Sequence, residues 1–188
     1  MNTLELQRQM VHFSGVLFAF LSLYFPPRYI GILCFAWVFF LLYAGMKAKH
    51  SPNEGFFGKV THGMLTKFER KDAFPFEGVM MFLSGTGLVS IIFPAQAPVA
   101  IAVLAVGDSV STIFGIHYGS HKLHFNRSKS YEGLMSGFVF SVFFASYFAD
   151  FNTALIASAV GMIVEALPIP INDNISMPLS VGALLYIL

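Results

Sequence analysis

Charged residues and cysteines are both scarce in this chain. Asp, Glu, Lys and Arg make up 11% of the 188 residues, whereas soluble domains carry about 25%. The formal net charge is only +1. The chain therefore lacks the strongly basic character of nucleic-acid-binding proteins, and we expect no nucleic-acid partner. Cys34 is the only cysteine, which excludes a disulfide within the chain.

Apolar residues dominate instead, with 56% of the chain hydrophobic and 22 phenylalanines. Long apolar runs recur along the whole sequence and predict an all-α, polytopic membrane bundle that forms a single domain, residues 1–188. We expect about seven membrane-spanning helices. The predicted spans are Met10–Phe25, Tyr29–Met46, Phe76–Phe93, Pro98–Phe114, Leu134–Phe148, Thr153–Leu167 and Met177–Leu188.

The distribution of basic residues predicts the orientation of this bundle. With the N-terminus inside, the inner segments are 1–9, 47–75, 115–133 and 168–176, and they contain ten of the eleven Lys and Arg residues. Only Arg28 falls on the other side. The positive-inside rule therefore predicts a cytoplasmic N-terminus and an external C-terminus.

Asp108 follows an apolar run, and an acidic residue at membrane depth usually has a function and a partner. Asp108 directly follows the first residue of a row of small residues spaced four apart. A second such row follows a basic loop. Small residues at this spacing let two helix backbones approach closely. The predicted rows are Gly107, Ser111, Gly115 and Gly119, and Gly133, Gly137, Ser141 and Ala145. We interpret the two helices as walls of a site.

The ionisable residues of several segments converge on the predicted cytoplasmic end. On the first helix, Glu5, Arg8 and His12 share one face. The other members of this group are Asp108, Lys129, Glu132, Glu165 and Asp173. Their convergence places the site of action at the cytoplasmic end of the bundle.

Carboxylates without nearby thiols favour magnesium shared with substrate phosphates, and the candidate ligands are Asp108, Glu165 and Asp173. Lys129 and Arg8 are candidates for binding phosphate charge. The chain has no Walker-type glycine loop. Its nearest equivalent to a phosphate cradle consists of Gly107, Asp108 and Ser109 with Gly115 and Gly119.

Each of these residues also has a purely structural interpretation. Asp108 could be a helix cap or form a structural bridge with Lys129, and Glu165 could simply end a helix near the lipid interface. Arg8 and Lys129 could be ordinary anchors on the inner side of the membrane.

Taken in order, the motifs resemble the CTP-dependent lipid-alcohol kinases, a family that includes dolichol kinase, phytol kinase and a CTP-using diacylglycerol kinase. The resemblance covers nearly the whole chain. The matching residues are Glu5, Arg8, His12 and Gly15; Leu65, Glu69 and Arg70; Gly107-Asp108-Ser109 with Gly115 and Gly119; Lys129-Ser130-Tyr131-Glu132-Gly133; Val164-Glu165-Ala166-Leu167; and Asp173-Asn174 with Pro178.

The resemblance implies transfer of the CTP γ-phosphate to the hydroxyl of a long-chain alcohol, with a divalent metal, at the cytoplasmic face. The implied catalytic residues are Asp108, Lys129, Glu132, Glu165 and Asp173, with Asp108, Asp173 and Glu165 also as magnesium ligands. The implied nucleotide-binding residues are Arg8, His12, Gly107, Ser109, Gly115, Gly119, Lys129, Ser130, Gly133 and Asn174. The chain departs from the family pattern at Asn172, where an aspartate is usual.

Phytol and diacylglycerol are possible acceptors of the phosphate. We favour a polyprenol or dolichol in a prokaryotic cell membrane. Membrane lipids are expected neighbours, and exposed glycine rows suggest a homodimer. A cytidylyltransferase that makes a CDP-lipid would use the same nucleotide and metal. A small-solute transporter is the non-enzymatic alternative, although transporters bind their substrates nearer the bilayer midplane.

Overall fold

The computed structural model describes residues 3–50 and 74–188. Leu65, Glu69 and Arg70 of the sequence motif lie outside the described residues. Within the described ranges the chain is helical, apart from turns and one isolated antiparallel bridge between Lys122 and Ser130. The all-helical prediction is therefore confirmed for these residues.

The described residues form a series of α-helices, two of which are joined by a π-helical segment. Their bounds are α1 Thr3–Ser14, α2 Val16–Leu21, α3 Pro27–His50, α4 Glu77–Ile92, α5 Ala97–Ala102, the π segment Val103–Asp108, α6 Ser109–Tyr118, α7 Tyr131–Ala145, α8 Phe151–Ala166 and α9 Asp173–Ile187. The residues from α5 to α6 form one continuous helical stretch.

The predicted number of membrane spans is not confirmed. Among the described residues, two helical stretches are long and apolar enough to cross a membrane, Pro27–Lys47 and Ala97–Tyr118. The apolar helices α4, α7 and α8 are shorter than a span. The predicted first span, Met10–Phe25, is broken at Gly15 into α1 and α2. Every predicted span nevertheless overlaps a described helix.

The stretch from α5 to α6 lies at the centre of the bundle and contacts α1, α2, α4, α7, α8 and α9. Its residues from Val99 to Val106 are each at most 4% exposed. In contrast, α3 exposes a face of large apolar side chains that includes Leu33, Trp37 and Phe40. The helical stretch that contains Asp108 therefore forms the centre of the bundle.

The two predicted rows of small residues pack against each other. A Cβ atom added to Gly133 would lie 2.5 Å from the Ser111 carbonyl oxygen, and one added to Gly137 would lie 2.7 Å from the Gly107 carbonyl oxygen. Only glycine permits this approach between α6 and α7. Both rows are therefore used in packing inside the chain, and the homodimer stays a prediction.

Replacing Gly133 by alanine is expected to destabilise the chain by about 1–3 kcal/mol, because the new methyl group forces the packed helices apart. The measurement is the thermal unfolding midpoint of the purified protein in detergent. Gly78 is the matched control, since a Cβ there meets nothing within 4 Å. Gly78→Ala should be neutral or stabilising by about 0.5–1 kcal/mol. Equal midpoints for the two variants would contradict the close packing of α6 on α7.

Candidate functional site

Asp108 ends the π segment and is the first site residue that the fold places. The Ser109 hydroxyl donates to the Ala105 carbonyl at 2.6 Å, which satisfies a backbone oxygen of the widened turn. Such π turns occur frequently at functional sites. The Asp108 side chain is 16% exposed, and its Oδ2 atom lies 3.2 Å from Nε2 of His12. The first helix and the helical stretch of Asp108 therefore bring polar groups together, as the predicted convergence of ionisable residues requires.

Lys129 is held by a tight loop between α6 and α7. Its backbone N–H donates to the Asn126 carbonyl at 3.1 Å, and its carbonyl accepts from the backbone N–H of Leu123 at 3.1 Å. Leu123 is buried. The Asn126 side-chain amide donates to the Ala166 carbonyl at 3.0 Å, which ties the loop to the end of α8. The loop therefore places Lys129 beside the residue that precedes Ala166.

That preceding residue is Glu165, whose carboxylate accepts a hydrogen bond from the Lys129 ammonium. The same ammonium lies 3.6 Å from Oδ2 of Asp173. The Glu165 oxygen that accepts from Lys129, Oε1, also accepts a 2.7 Å hydrogen bond from the Ser111 hydroxyl. Asp108 is close enough to Lys129 and Asp173 to act on them electrostatically. We call Asp108, Ser111, Lys129, Glu165 and Asp173 the Lys129 cluster.

Burial and the neighbouring charges shift the pKa values of Lys129 and Asp173. Burial alone would lower the pKa of Lys129, but Glu165, Asp108 and Asp173 together outweigh it and raise the pKa above its usual value. Lys129 is therefore a fixed positive charge. Burial raises the pKa of Asp173, and the negative charge of Asp108 adds to this effect, while Lys129 opposes it.

On α1, the polar face has partners of its own. Arg8 donates to the Glu5 carboxylate at 2.8 Å, and Gln9 donates to the other oxygen of that carboxylate at 3.0 Å. Of the residues predicted on this face, His12 is the one whose side chain lies against Asp108. Arg8 is paired with Glu5, and its predicted role in binding phosphate stays a prediction.

Glu132 is directed to the loop and not to the Lys129 cluster. Its carboxylate accepts from the ring nitrogen Nδ1 of His121 at 2.6 Å and from the His121 backbone N–H at 3.0 Å. The hydrogen bond from the His121 side chain lowers the pKa of Glu132 to about 2. Glu132 lies in the first turn of α7, and its carboxylate ties the start of this helix to His121 in the preceding loop.

Several predicted nucleotide-binding residues serve packing or capping in this structure. Ser109 is fully buried, and its hydroxyl donates a hydrogen bond to the Ala105 carbonyl oxygen. The Ser130 hydroxyl accepts from the Gly133 backbone N–H at 3.2 Å and caps α7. Two more glycines of the predicted cradle are also in close contacts: Gly107 lies against Met162, and Gly119 lies against Gly115 and Ser130. Their predicted contacts with a nucleotide remain predictions.

The last motif surrounds the start of α9. Asn172, the residue that departs from the family pattern, caps this helix by accepting from the Asn174 backbone N–H at 3.1 Å. The Asn174 backbone lies directly against α4, where a Cβ on Gly85 would collide with the Asn174 carbonyl oxygen. Asp173 is thus placed at a rigid helix start and directed towards Lys129.

The oxygen donors of the cluster can be compared with those that magnesium takes in proteins. Within residues 3–50 and 74–188, no three His, Cys, Asp or Glu side chains are grouped so as to hold a metal by themselves. The three carboxylates face a single ammonium, so two negative charges are left uncompensated. Magnesium is commonly bound by one or two carboxylates together with substrate phosphates. The oxygen donors present therefore fit this metal in type and charge.

Comparison with curated proteins finds farnesol and phytol kinases among the relatives of this chain. The chain is 31% identical over 123 residues to a chloroplastic farnesol kinase of Arabidopsis thaliana, which covers 55% of this chain and 40% of that protein. It is 33% identical over 119 residues to a probable phytol kinase of Glycine max, covering 52% and 40% of the two chains. A probable phytol kinase of Oryza sativa subsp. japonica is 35% identical over 123 residues, covering 54% and 39%.

The chain is a relative of farnesol and phytol kinases. The resemblance predicted from the motifs is thereby confirmed over about half of the chain. The chain spans about two fifths of the length of these kinases. No protein-family model matches it, and no solved structure matches it. Because these kinases are plant proteins named as chloroplastic, they give no support to the predicted prokaryotic origin.

One member of the Lys129 cluster is not identified by the sequence motifs. Ser111 is recognisable in the sequence only as a small residue in the glycine row, yet its hydroxyl contacts Glu165. Its spacing of three residues from Asp108, on the same helical stretch, is the one signal that could have assigned it to the site. Asn126 gives no such signal, because its contact with Ala166 spans 40 residues of sequence.

Proposed function

We propose that this chain carries the catalytic core of a membrane-embedded lipid-alcohol kinase. The reaction is transfer of the γ-phosphate of a nucleoside triphosphate to the hydroxyl of an isoprenoid alcohol. The observation that carries the proposal is the Lys129 ammonium between Glu165 and Asp173, with Asp108 on the neighbouring helix. The relationship to farnesol and phytol kinases supports the reaction class.

The cluster supplies what phosphoryl transfer requires, which is mainly positioning and charge neutralisation. Lys129 neutralises charge on the transferring phosphoryl group. Asp108 and Asp173 would hold magnesium, which when bound neutralises the β- and γ-phosphates. Either carboxylate is exposed enough to accept the proton of the alcohol, since their side chains are 16% and 33% exposed. His12 orients Asp108.

For the acceptor we propose a short isoprenoid alcohol of the phytol or farnesol class. The polyprenol or dolichol favoured by the sequence gets no support from the relatives, which are named for farnesol and phytol. CTP as the donor remains the proposal that the motif resemblance implies. Two helical stretches long enough to cross a membrane, and the exposed apolar face of α3, support embedding in the lipid that contains such alcohols.

The seven-span arrangement with a cytoplasmic N-terminus is likewise a proposal. It is supported by the overlap of every predicted span with a helix and by the one-sided distribution of Lys and Arg. In that arrangement the Lys129 cluster lies at the inner membrane surface, where a water-soluble nucleotide meets a membrane-dissolved alcohol.

The direct test uses the full chain purified in detergent with magnesium and γ-labelled CTP or ATP. Farnesol, phytol, a polyprenol and diacylglycerol are offered separately. We expect label in farnesol or phytol, with CTP preferred over ATP. Label in the polyprenol or diacylglycerol alone would reject the acceptor class, and no labelled lipid with any acceptor would reject the kinase.

A cytidylyltransferase is the second candidate, and product analysis separates it from the kinase. It would release pyrophosphate when given a lipid phosphate and CTP, whereas the kinase releases CDP when given an alcohol. The relationship to farnesol and phytol kinases does not favour this alternative. The transporter has no support from the comparisons.

A further inference from the structure

The Glu165 carboxylate differs from the other two carboxylates of the cluster in its access to solvent. Its side chain is 2% exposed, whereas those of Asp108 and Asp173 are 16% and 33% exposed. A group that takes a proton from the substrate must come within hydrogen-bond distance of the substrate oxygen. Glu165 is enclosed by protein, so it is poorly placed for that contact.

Two protein groups donate hydrogen bonds to one oxygen of the Glu165 carboxylate. Its Oε1 atom accepts from Lys129 and, at 2.7 Å, from the Ser111 hydroxyl. A buried carboxylate is tolerated only when it is paired and hydrogen-bonded. Lys129 supplies the charge, and Ser111 supplies the second hydrogen bond. One carboxylate oxygen is therefore held by two donors from different elements.

Ser111 is itself held in place by α6. It is 5% exposed, and its hydroxyl lies 3.1 Å from the Asp108 carbonyl and 2.7 Å from Glu165. A hydroxyl has one proton, and a carboxylate forms the stronger hydrogen bond. The proton of Ser111 is thus directed to Glu165. This bond connects the helix that carries Asp108 to the helix end that holds Lys129.

We propose that Ser111 and Glu165 are positioning residues: Glu165 fixes the Lys129 ammonium, Ser111 fixes Glu165, and neither contacts the substrate. This inference rests on the proposed kinase function and narrows its chemistry. The acceptor of the alcohol proton is then Asp108 or Asp173. Glu165 leaves the set of magnesium ligands and of candidate bases.

The first test removes the Ser111 hydroxyl in the full chain in detergent. Ser111→Ala is expected to lower kcat about tenfold while KM for nucleotide and alcohol changes less than about twofold. Ser111→Thr restores the hydroxyl and should recover kcat to within about threefold of wild type. Ser158→Ala is the matched control. Ser158 is likewise buried, but its hydroxyl has no hydrogen-bond partner in the described part of the chain. Its variant should retain the wild-type kcat.

The second test separates positioning from direct catalysis by combining Glu165→Gln with Lys129→Met. If Glu165 acts only through Lys129, the double variant is no slower than Lys129→Met alone. A double variant at least tenfold slower than Lys129→Met would show that Glu165 has a catalytic role of its own, and would overturn the proposal. A wild-type kcat in Ser111→Ala would overturn it as well.

These outcomes are distinct from a failure of the proposed function. If wild-type protein phosphorylates no alcohol, the kinase proposal fails at once, and the comparison of variants is then made on stability. There the positioning pair predicts a lower unfolding midpoint for Ser111→Ala than for Ser158→Ala, because only Ser111 stabilises a buried carboxylate. Equal midpoints would contradict the pair independently of any activity.

Discussion

Asp108→Asn is expected to lower phosphoryl transfer by about a thousandfold or more while the chain stays folded. The amide keeps the shape of the side chain but removes one of the three negative charges around Lys129. In the proposed mechanism, a site that has lost this charge binds magnesium weakly and orients the triphosphate poorly. Asp108 ends the π segment, and its Oδ2 atom lies 3.2 Å from Nε2 of His12. The measurement is the initial rate of label transfer to phytol or farnesol.

Asp150→Asn is the matched control for Asp108→Asn. Asp150 caps the first turn of α8 by accepting from the backbone N–H groups of Asn152 and Thr153, at the opposite end of the helix from Glu165. Asparagine is an equally good cap. This variant should therefore keep both its rate and its unfolding midpoint. Full activity in Asp108→Asn would remove Asp108 from the mechanism.

The positions of the helices could be predicted from the sequence because apolar runs of this length have few alternatives. The packing of α6 on α7 was equally predictable, since glycines four residues apart form one face wherever the helix is placed. The meeting of Lys129 with Glu165 and Asp173 followed from the motifs, which place all three near the same end of the bundle.

The partners of individual polar side chains were less predictable. Helical spacing shows that Glu5, Arg8 and His12 share a face, but it does not show that Arg8 is paired with Glu5 while His12 contacts Asp108. Glu132 belongs to a site motif, yet its first-turn position directs it to His121 in the loop. Such choices depend on tertiary packing, which periodicity does not contain.

The number of spans was the least secure prediction for a similar reason. A run of apolar residues predicts burial in hydrocarbon or in protein equally well. The stretch from α5 to α6 has two thirds of its apolar window buried inside the chain, whereas the comparable window of α3 is 22% buried. Mean hydropathy is the same in both, and only the packing distinguishes a central helix from one with an exposed apolar face.

Lys129→Met is the second substitution with a large expected effect, and it acts on stability as well as on activity. It removes the one ammonium in the cluster and leaves Glu165, 2% exposed, without its charged partner. Breaking one side of a buried ion pair costs about 3–5 kcal/mol. We expect a clearly lower thermal unfolding midpoint in detergent, together with a loss of transfer of about a thousandfold.

The double variant Lys129→Met with Glu165→Gln separates these two effects. Removing the unpaired charge should recover most of the lost stability, because two neutral groups then share the site and the amide oxygen of the introduced glutamine can still accept from Ser111. Activity should not recover, since the positive charge near the transferring phosphoryl group is still absent. If the double variant unfolds as early as Lys129→Met, the buried pair is not what stabilises this end of α8. If activity returns with stability, Lys129 supports the fold alone, and the positive charge at the transferring phosphoryl group must come from another residue.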